Sequence, residues 1–507
     1  VKPPPAPPKP TATTVIGGQQ LHGPHVEIVN PADPLQVVGT HCLGNPDDAH
    51  AAVMCAHAAF PAWSTHPPAA RAERLVFGAQ AIDSDSLALA TLLTQEHGKV
   101  LGEATAEIAN ATATLRYYAG LAAAWSVEKV NVDHRGKIIE RRVPMGVAAV
   151  IVPWNFPVLL AMLMLAPVLV AGNTAVVKLP DYAPLALSSA LHRLAGSLPV
   201  GVLNVLSGTG PDVGMALTRH PLVRKISFTG STETGRTIMR DASVTLKNLS
   251  LELGGNDPAV LLADAHLDED LIDQLATGCF TASGQVCYAP KRLYVHQRLF
   301  SDFVEAFTAH AAKLVLGNGL HRAVTMGPVC NQRQFQRLSQ LIESSRDDGA
   351  DVVQVGQIHE SASSRGYFVR PTIVTGLSED AALVTQEQFG PVVPILSFAD
   401  DEQAVARANA TEFGLAASVW SADIDHALAV GRRIQAGSVF INVHRVGASD
   451  VTMPFGGFKQ SGIGRGHGVQ ALEEASELQI LAQRNDMRYR PQASRHREPG
   501  LSSEGLT

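Results

Sequence analysis

Val147-Ala-Ala-Val-Ile-Val-Pro-Trp-Asn-Phe-Pro157, running on through the apolar stretch Val158–Val170 to Thr174-Ala-Val-Val-Lys178, decides the fold. No charged residue stands between Val143 and Val177, and Pro157–Gly172 approaches the length of a membrane-spanning helix. Pro144, Pro153, Pro157 and Pro167, with Asn155 and Asn173, cut the stretch instead into a strand, a turn, an apolar helix and a second strand. A strand with no polar alternation, followed by an apolar helix, belongs to a parallel sheet buried on both faces. No membrane span is expected.

Outward from this unit, β-branched runs recur between helical patterns: Ala148–Val152, Thr174–Lys178, Val202–Leu206, Lys225–Phe228 and Leu249–Leu253. The second half repeats the style with Lys291–Val295, Tyr367–Ile373, Val392–Phe398 and Ser438–Asn442, separated by helical stretches such as Leu299–Leu316 and Asp401–Asn409. Such alternation predicts an α/β protein with two doubly wound parallel-sheet domains that divide near Gly254-Gly255. Ser126–Val143 reads differently, as a projecting β-hairpin turning at Asp133-His-Arg-Gly136, whose unpaired edges suit pairing with another subunit. The Pro-rich residues 1–14 and the tail 488–507 read as flexible ends.

The chain has 507 residues, room for two or three domains, with 40 Lys+Arg against 47 Asp+Glu and a formal charge of -7. That balance, without internal blocks of like charge, predicts neither a nucleic-acid groove nor a polybasic membrane face. Five cysteines, Cys42, Cys55, Cys279, Cys287 and Cys330, form no C-x-x-C and no Cys/His cluster, so free thiols in a reducing compartment are expected rather than disulfides or a metal site. With no apolar core of signal-peptide type near the start, the expected location is cytoplasmic.

Candidate chemistry gathers in a few places. Gly284-Gln-Val-Cys287 carries a thiol which, taken alone, reads as a small core residue. Leu251-Glu-Leu-Gly-Gly255 ends a buried strand in the carboxylate Glu252, catalytic or ion-paired, followed by glycines that let backbone approach a ligand. Asn155 follows a parallel strand, where ligands of open α/β sheets bind, and also stands where it would cap the helix beginning near Pro157. Two glycine loops follow strands. Gly208-Thr-Gly-Pro-Asp-Val-Gly214 approximates a dinucleotide fingerprint whose last glycine is one residue late, and Phe228-Thr-Gly230-Ser231 delivers backbone N–H groups to a helix start. Two such loops on one sheet point to a dinucleotide.

Taken in order, Pro153-Trp-Asn-Phe-Pro157, Lys178, Phe228-Thr-Gly-Ser231, Leu251-Glu-Leu-Gly-Gly255, Gly284-Gln-Val-Cys287 with Arg292, Glu387-Gln-Phe-Gly-Pro-Val392, Asn409 with Gly414-Leu-Ala416, and Pro454-Phe-Gly-Gly-Phe-Lys-Gln-Ser-Gly462 resemble the aldehyde dehydrogenase superfamily, from about residue 20 to about 485. The resemblance implies a Rossmann-like cofactor domain (15–125 and 144–253), a catalytic domain (254–469) and an oligomerisation element (126–143 and 470–487) that makes a homodimer or homotetramer. It implies NAD(P)-dependent oxidation of a small-molecule aldehyde to the acid: Cys287 as nucleophile, Asn155 and the Cys287 N–H as oxyanion donors, and Glu252 as the base that activates water against the thioester. For the cofactor it implies Lys178 at the adenosine ribose, Ser231 at the pyrophosphate, Glu387 and Phe389 at the nicotinamide ribose and ring, and Trp154 flanking the adenine side. Asp181 falls where NAD-using relatives carry an acid that repels a 2′-phosphate, so NAD is expected over NADP. The implied substrate tunnel is apolar: Phe156, Leu159, Leu163, Val286, Tyr288 and Phe455. At its mouth Asp450 stands where some aminoaldehyde dehydrogenases place an acid, with His444 and Arg445 close by in sequence.

The sequence departs from the family's usual pattern in Phe280-Thr-Ala-Ser283, which lacks an Asn, in Asn256, where Lys is common, and in Lys-Leu-Pro-Asp181, which lacks the usual Lys-Pro. Three rivals stand beside the hydrolytic reading; one, a thiol hydrolase, would need a His to activate Cys287, which no motif supplies, and would leave the two glycine loops unexplained. A CoA-acylating enzyme needs no water-activating Glu252, and a catalytically retired structural or binding protein would be expected to have lost Cys287 or Glu252.

Overall fold

A computed structural model describes residues 9–125, 127–485 and 487. The first eight residues of the Pro-rich start and the tail 488–507 lie outside the described residues.

The opening stretch folds as strand β1 (Val147–Ile151), helix α2 (Pro157–Val170) and strand β2 (Thr174–Lys178). Pro157 begins α2 because a first-turn residue needs no N–H partner. Both β1 and β2 are buried throughout, and α2 packs between the sheet and the long helix α1 (Leu101–Ala124), which accounts for a helix apolar on nearly every side. Among the described residues no helix is long and apolar enough to cross a membrane.

Strands β3 (Leu203–Leu206), β4 (Val223–Thr229) and β5 (Asn248–Glu252) join β1 and β2 in parallel, in the order β5-β4-β1-β2-β3. Antiparallel strands extend the sheet at both sides: Gly462–Ile463 lies along β5, and Val15–Ile16 lies along β3 with Gln19–Gln20 at the edge beyond it. The winding direction reverses between β1 and β4, so a crevice opens beyond their carboxyl ends. Asn155 follows one of those ends and Gly230-Ser231 the other.

A second parallel sheet contains β6 (Asp257–Leu261), β7 (Pro290–His296), β8 (Thr372–Thr375), β9 (Val392–Phe398), β10 (Ala416–Trp420) and β11 (Ser438–Ile441), ordered β8-β9-β7-β6-β10-β11. Two of its central strands are absent from the β-branched runs of the sequence. Pro258 disguises β6, where a register shift between Asp257 and Pro258 accommodates the missing N–H, and β10 is masked by its small residues Ala416, Ala417 and Ser418. The strand expected from Tyr367 starts only at Thr372, after Pro371.

Two units separate by their contacts: residues 1–125 with 144–476, and residues 126–143 with Glu477 onward. In the smaller unit, Glu128–Asp133 and Gly136–Pro144 pair antiparallel as a hairpin, and Ser476–Arg484 forms the third strand of their sheet. The helix Gly468–Glu474 packs on α2 and lies within the larger unit.

Candidate active site

Three chain segments converge at the crevice. The turn after β1 carries Asn155, buried, whose Nδ2 donates to the Gln285 carbonyl at 3.0 Å. Thr281–Gly284 forms a tight turn leading to Cys287, with Ala282 (φ 49°) and Ser283 (φ 57°) both left-handed, a conformation costly for side chains with a Cβ. Gly284 (φ +73°) lies so close to Gly390 that a Cβ would come within 2.4 Å of its backbone, which fixes glycine there. Buried Gln285 binds this turn, its amide donating to the Ala282 carbonyl at 2.8 Å and accepting from Cys330 N–H at 2.9 Å. Glu252 ends β5.

These segments wall a cavity of about 390 Å³ lined by Asn155, Glu252 and Cys287 together with Phe156, Leu159, Leu163, Val286, Tyr288, Asp450 and Phe455. Apolar side chains form most of that wall. Tyr288 meets Phe455 edge-on at 5.5 Å, and His467 stacks on Phe455 at 5.3 Å. His444 lies outside the wall as a brace, buried between the Ser418 hydroxyl and the Tyr288 carbonyl, each 2.9 Å away. Asp450 is exposed and accepts the Thr452 N–H at 2.7 Å.

Burial dominates the electrostatics. It pushes the Cys287 thiol up to about 12, opposed by the Lys291 ammonium and reinforced by the Glu387, Asp257 and Glu252 carboxylates. It lifts Glu252 to about 8, opposed by Arg465 and the Gly466 N–H, while Glu252 Oε2 is buried without a protein hydrogen-bond partner among the described residues. Burial likewise holds His467 near 4, so it is neutral at pH 7.

Along the crevice's other arm, Lys178 Nζ donates to Asp181 Oδ1 at 2.7 Å and to the Leu179 carbonyl at 2.8 Å, with the stem of Lys178 buried and Asp181 half-exposed. Gly214 faces the Lys178 stem. Ser231 caps helix α3 (Thr232–Ser243), its Oγ accepting the Thr234 N–H at 3.2 Å, and Gly230 donates to the Glu252 carbonyl at 3.0 Å. Glu387 accepts the Gly255 N–H at 3.2 Å and lies 3.4 Å from Lys291 Nζ.

The profile of the "Aldehyde dehydrogenase family" matches residues 19–481. This chain belongs to the aldehyde dehydrogenase family. Phenylacetaldehyde dehydrogenase of Pseudomonas fluorescens is 38% identical over 483 residues, covering 92% of this chain and 95% of its own. Betaine aldehyde dehydrogenase of Staphylococcus aureus, solved with NAD+, superposes with a TM-score of 0.88 at 31% identity, covering 93% of this chain and 94% of its own. An NADP-dependent enzyme of E. coli does so with a TM-score of 0.88 at 33% identity, covering 93% and 98%. An α/β aldehyde dehydrogenase is an oxidoreductase acting on aldehydes with a nicotinamide dinucleotide.

The dehydrogenase's residues fit that dinucleotide. The α3 N-terminus with Gly230 and Ser231 suits a pyrophosphate, and Lys178, Asp181 and Glu387 offer charged partners to ribose hydroxyls. At Gly254 a Cβ would come within 2.4 Å of Glu387 Oε2, so the glycine lets this carboxylate lie against the backbone. The Trp154 ring meets Phe389 edge-on at 5.4 Å. Two residues in ring contact cannot serve opposite ends of a dinucleotide, so the expectation of Trp154 at the adenine and Phe389 at the nicotinamide does not hold for both.

Sequence reasoning missed several neighbours of this centre. Lys291, Asp257 and Arg465 each act on the charge of Cys287 or Glu252, and His467 lines the cavity. Lys99, Glu103 and Glu107 were equally unnoticed. Their only signal is a spacing of four, with Lys99 just before α1 and Glu103 and Glu107 in its first turns, which marks one face without naming what it meets.

Proposed function

We propose that this dehydrogenase oxidises an aldehyde with an apolar body to its carboxylic acid, using NAD+ and ending in hydrolysis. One observation carries the reading: Cys287, Glu252 and Asn155 line the same largely apolar cavity. The Cys287 thiol first gives its proton to solvent water; the thiolate then adds to the aldehyde carbon, and negative charge gathers on the former carbonyl oxygen. Asn155 Nδ2 has two hydrogens; one is committed to Gln285, and the other serves that oxyanion together with the Cys287 N–H. A nicotinamide held near Glu387 and Phe389 would supply the hydride acceptor that turns the thiohemiacetal into a thioester. Glu252 then takes a proton from a water, whose oxygen attacks the resulting Cys287 thioester and releases the acid.

Substrate class follows from the wall. Phe156, Leu159, Leu163, Val286, Tyr288 and Phe455 favour an aryl or alkyl aldehyde such as the phenylacetaldehyde of the Pseudomonas relative's name, and the exposed Asp450, already bonded to Thr452, favours a charged aminoaldehyde less. The half-exposed Asp181 supports NAD over NADP. Hairpin residues Val130 and Val132 and, on the partner strand, Leu478, Ile480 and Leu481 are exposed, which supports burial against a second subunit in a homo-oligomer.

The test is formation of reduced nicotinamide, read by absorbance, with aryl, alkyl and quaternary-ammonium aldehydes, with and without CoA. Turnover without CoA, with higher kcat/KM for the uncharged aldehydes, is expected. A strict need for CoA moves the chain to the acylating branch, and no reduction with any aldehyde refutes the assignment.

A further inference from the structure

We infer that Lys99, Glu103 and Glu107 are positioning residues, a clamp that holds the Asn155 amide and the Cys287 loop in register across the cavity. The inference rests on the reading of Asn155 as an oxyanion donor.

Lys99 and Glu107 are buried, with no side-chain exposure, and pair at 2.5 Å. Lys99 Nζ also donates to the backbone carbonyl of Asn155 at 2.8 Å and stands 3.7 Å from the Phe156 ring centroid. Its three protons therefore have a carboxylate, a carbonyl and an aromatic face. Glu107 extends the grip, since its Oε1 accepts the Val158 N–H at 2.9 Å and the Leu159 N–H at 3.3 Å. Those N–H groups belong to the first turn of α2, which lacks a side-chain cap of its own. One ion pair thus fixes both the carbonyl of Asn155 and the helix that follows it.

The same face of α1 grips the opposite wall. Glu103 Oε1 accepts the Ala282 N–H at 2.7 Å, and its Oε2 accepts the Val100 N–H at 3.1 Å. Ala282 is the first of the two left-handed residues before Cys287, so Glu103 holds the turn at its strained point. The two gripped segments meet where Asn155 Nδ2 reaches the Gln285 carbonyl.

A buried ion pair is weak support for stability, because a well-packed apolar pair of like volume is often as stable. What an apolar pair cannot do is hold the Asn155 carbonyl and two helix N–H groups in one place. A displacement of about 1 Å between reacting groups costs about 10²-fold in rate, so the clamp's effect belongs in the acylation step.

The experiment compares full-length enzymes by pre-steady-state reduction of NAD+ with an aldehyde, alongside Tm and titration of the Cys287 thiol. Lys99→Met/Glu107→Leu removes both charges, and it is made in the native and the Asn155→Ala backgrounds. Expected is a folded protein with KM changed less than about threefold and acylation slowed by about 10²-fold, with little further loss when Asn155 is already Ala. Unchanged acylation, or the same loss in both backgrounds, overturns the clamp. If Asn155→Ala alone leaves acylation intact, the oxyanion reading itself fails, a distinguishable result. Should the double variant not fold, Glu103 decides: Glu103→Ala slows acylation and Glu103→Gln, which keeps an acceptor for Ala282 N–H, restores it. Equal rates in Glu103→Ala and the native enzyme overturn the proposal.

Discussion

Replacing Glu252 by Gln separates the two halves of the reaction and also reads the cost of burying this carboxyl. Burial lifts Glu252 from an ordinary 4.5 to about 8, and its Oε2 has no protein partner among the described residues. At pH 7 only about a tenth of the free enzyme carries the carboxylate. Because the base must be ionised, hydrolysis-limited turnover rises with pH below about 8 and levels above it. Gln cannot take the proton, so Glu252→Gln retains a burst of about one reduced cofactor per site while steady turnover falls by about 10²- to 10⁴-fold. The sign for stability is opposite to that of a salt-bridged acid. A raised folded pKa means that the folded state binds the proton more tightly, so the contribution is present below pH 4.5 and is lost as pH rises through about 8. Over that span the loss amounts to at most ~5 kcal/mol, reduced by water reaching the cavity. Glu252→Gln is therefore expected to raise Tm over the native enzyme at pH 9 and to match it near pH 5. Stopped-flow absorbance measures the burst, and thermal melts across pH measure the linkage. An unchanged steady-state rate in Glu252→Gln refutes the assigned base, and a native rate flat from pH 6 to 8.5 refutes the burial argument.

Three further expectations rest on single positions. Gly284→Ala forces a Cβ to within 2.4 Å of the Gly390 backbone at φ +73° and is expected to lose more than ~1 kcal/mol, seen as a lower Tm and substoichiometric Cys287 titration. Lys291→Met removes the cation that opposes burial at Cys287, so iodoacetamide alkylation of that thiol at a fixed pH below 9 becomes slower; faster labelling would contradict the charge balance. Asp181→Ala removes a negative charge from the cofactor arm, and the ratio of kcat/KM for NAD+ over NADP+ should fall about tenfold, or ~1.4 kcal/mol; an unchanged ratio would place the 2′-hydroxyl elsewhere.

The parts of the fold legible in sequence are those whose physics is local. The run through β1 and α2 is apolar on every face and punctuated by prolines, so its strand, turn and helix follow from residues next to one another. β6 and β10 escaped because their identity is set by neighbours: Pro258 is tolerated in a central strand only because β7 shifts register beside it. The candidate site divides in the same way. Cys287, Glu252 and Asn155 stand at strand ends or beside glycines, where the main chain itself signals a ligand, and the cavity gathers them. Lys99 is different. Its partners include the Asn155 carbonyl, far along the chain, and the requirement it meets together with Glu107 and Glu103, a carbonyl and two helix N–H groups held opposite a strained turn, comes into being only once α1 lies across both loops. A lysine before a helix with two glutamates at spacings of four is, in sequence, an ordinary charged face. Burial without exposure turns it into a constraint, since an ammonium hidden from water must find every partner within the protein. Positions that chemistry selects directly can thus be read from sequence, whereas positions that hold the chemistry in place emerge only from the packing.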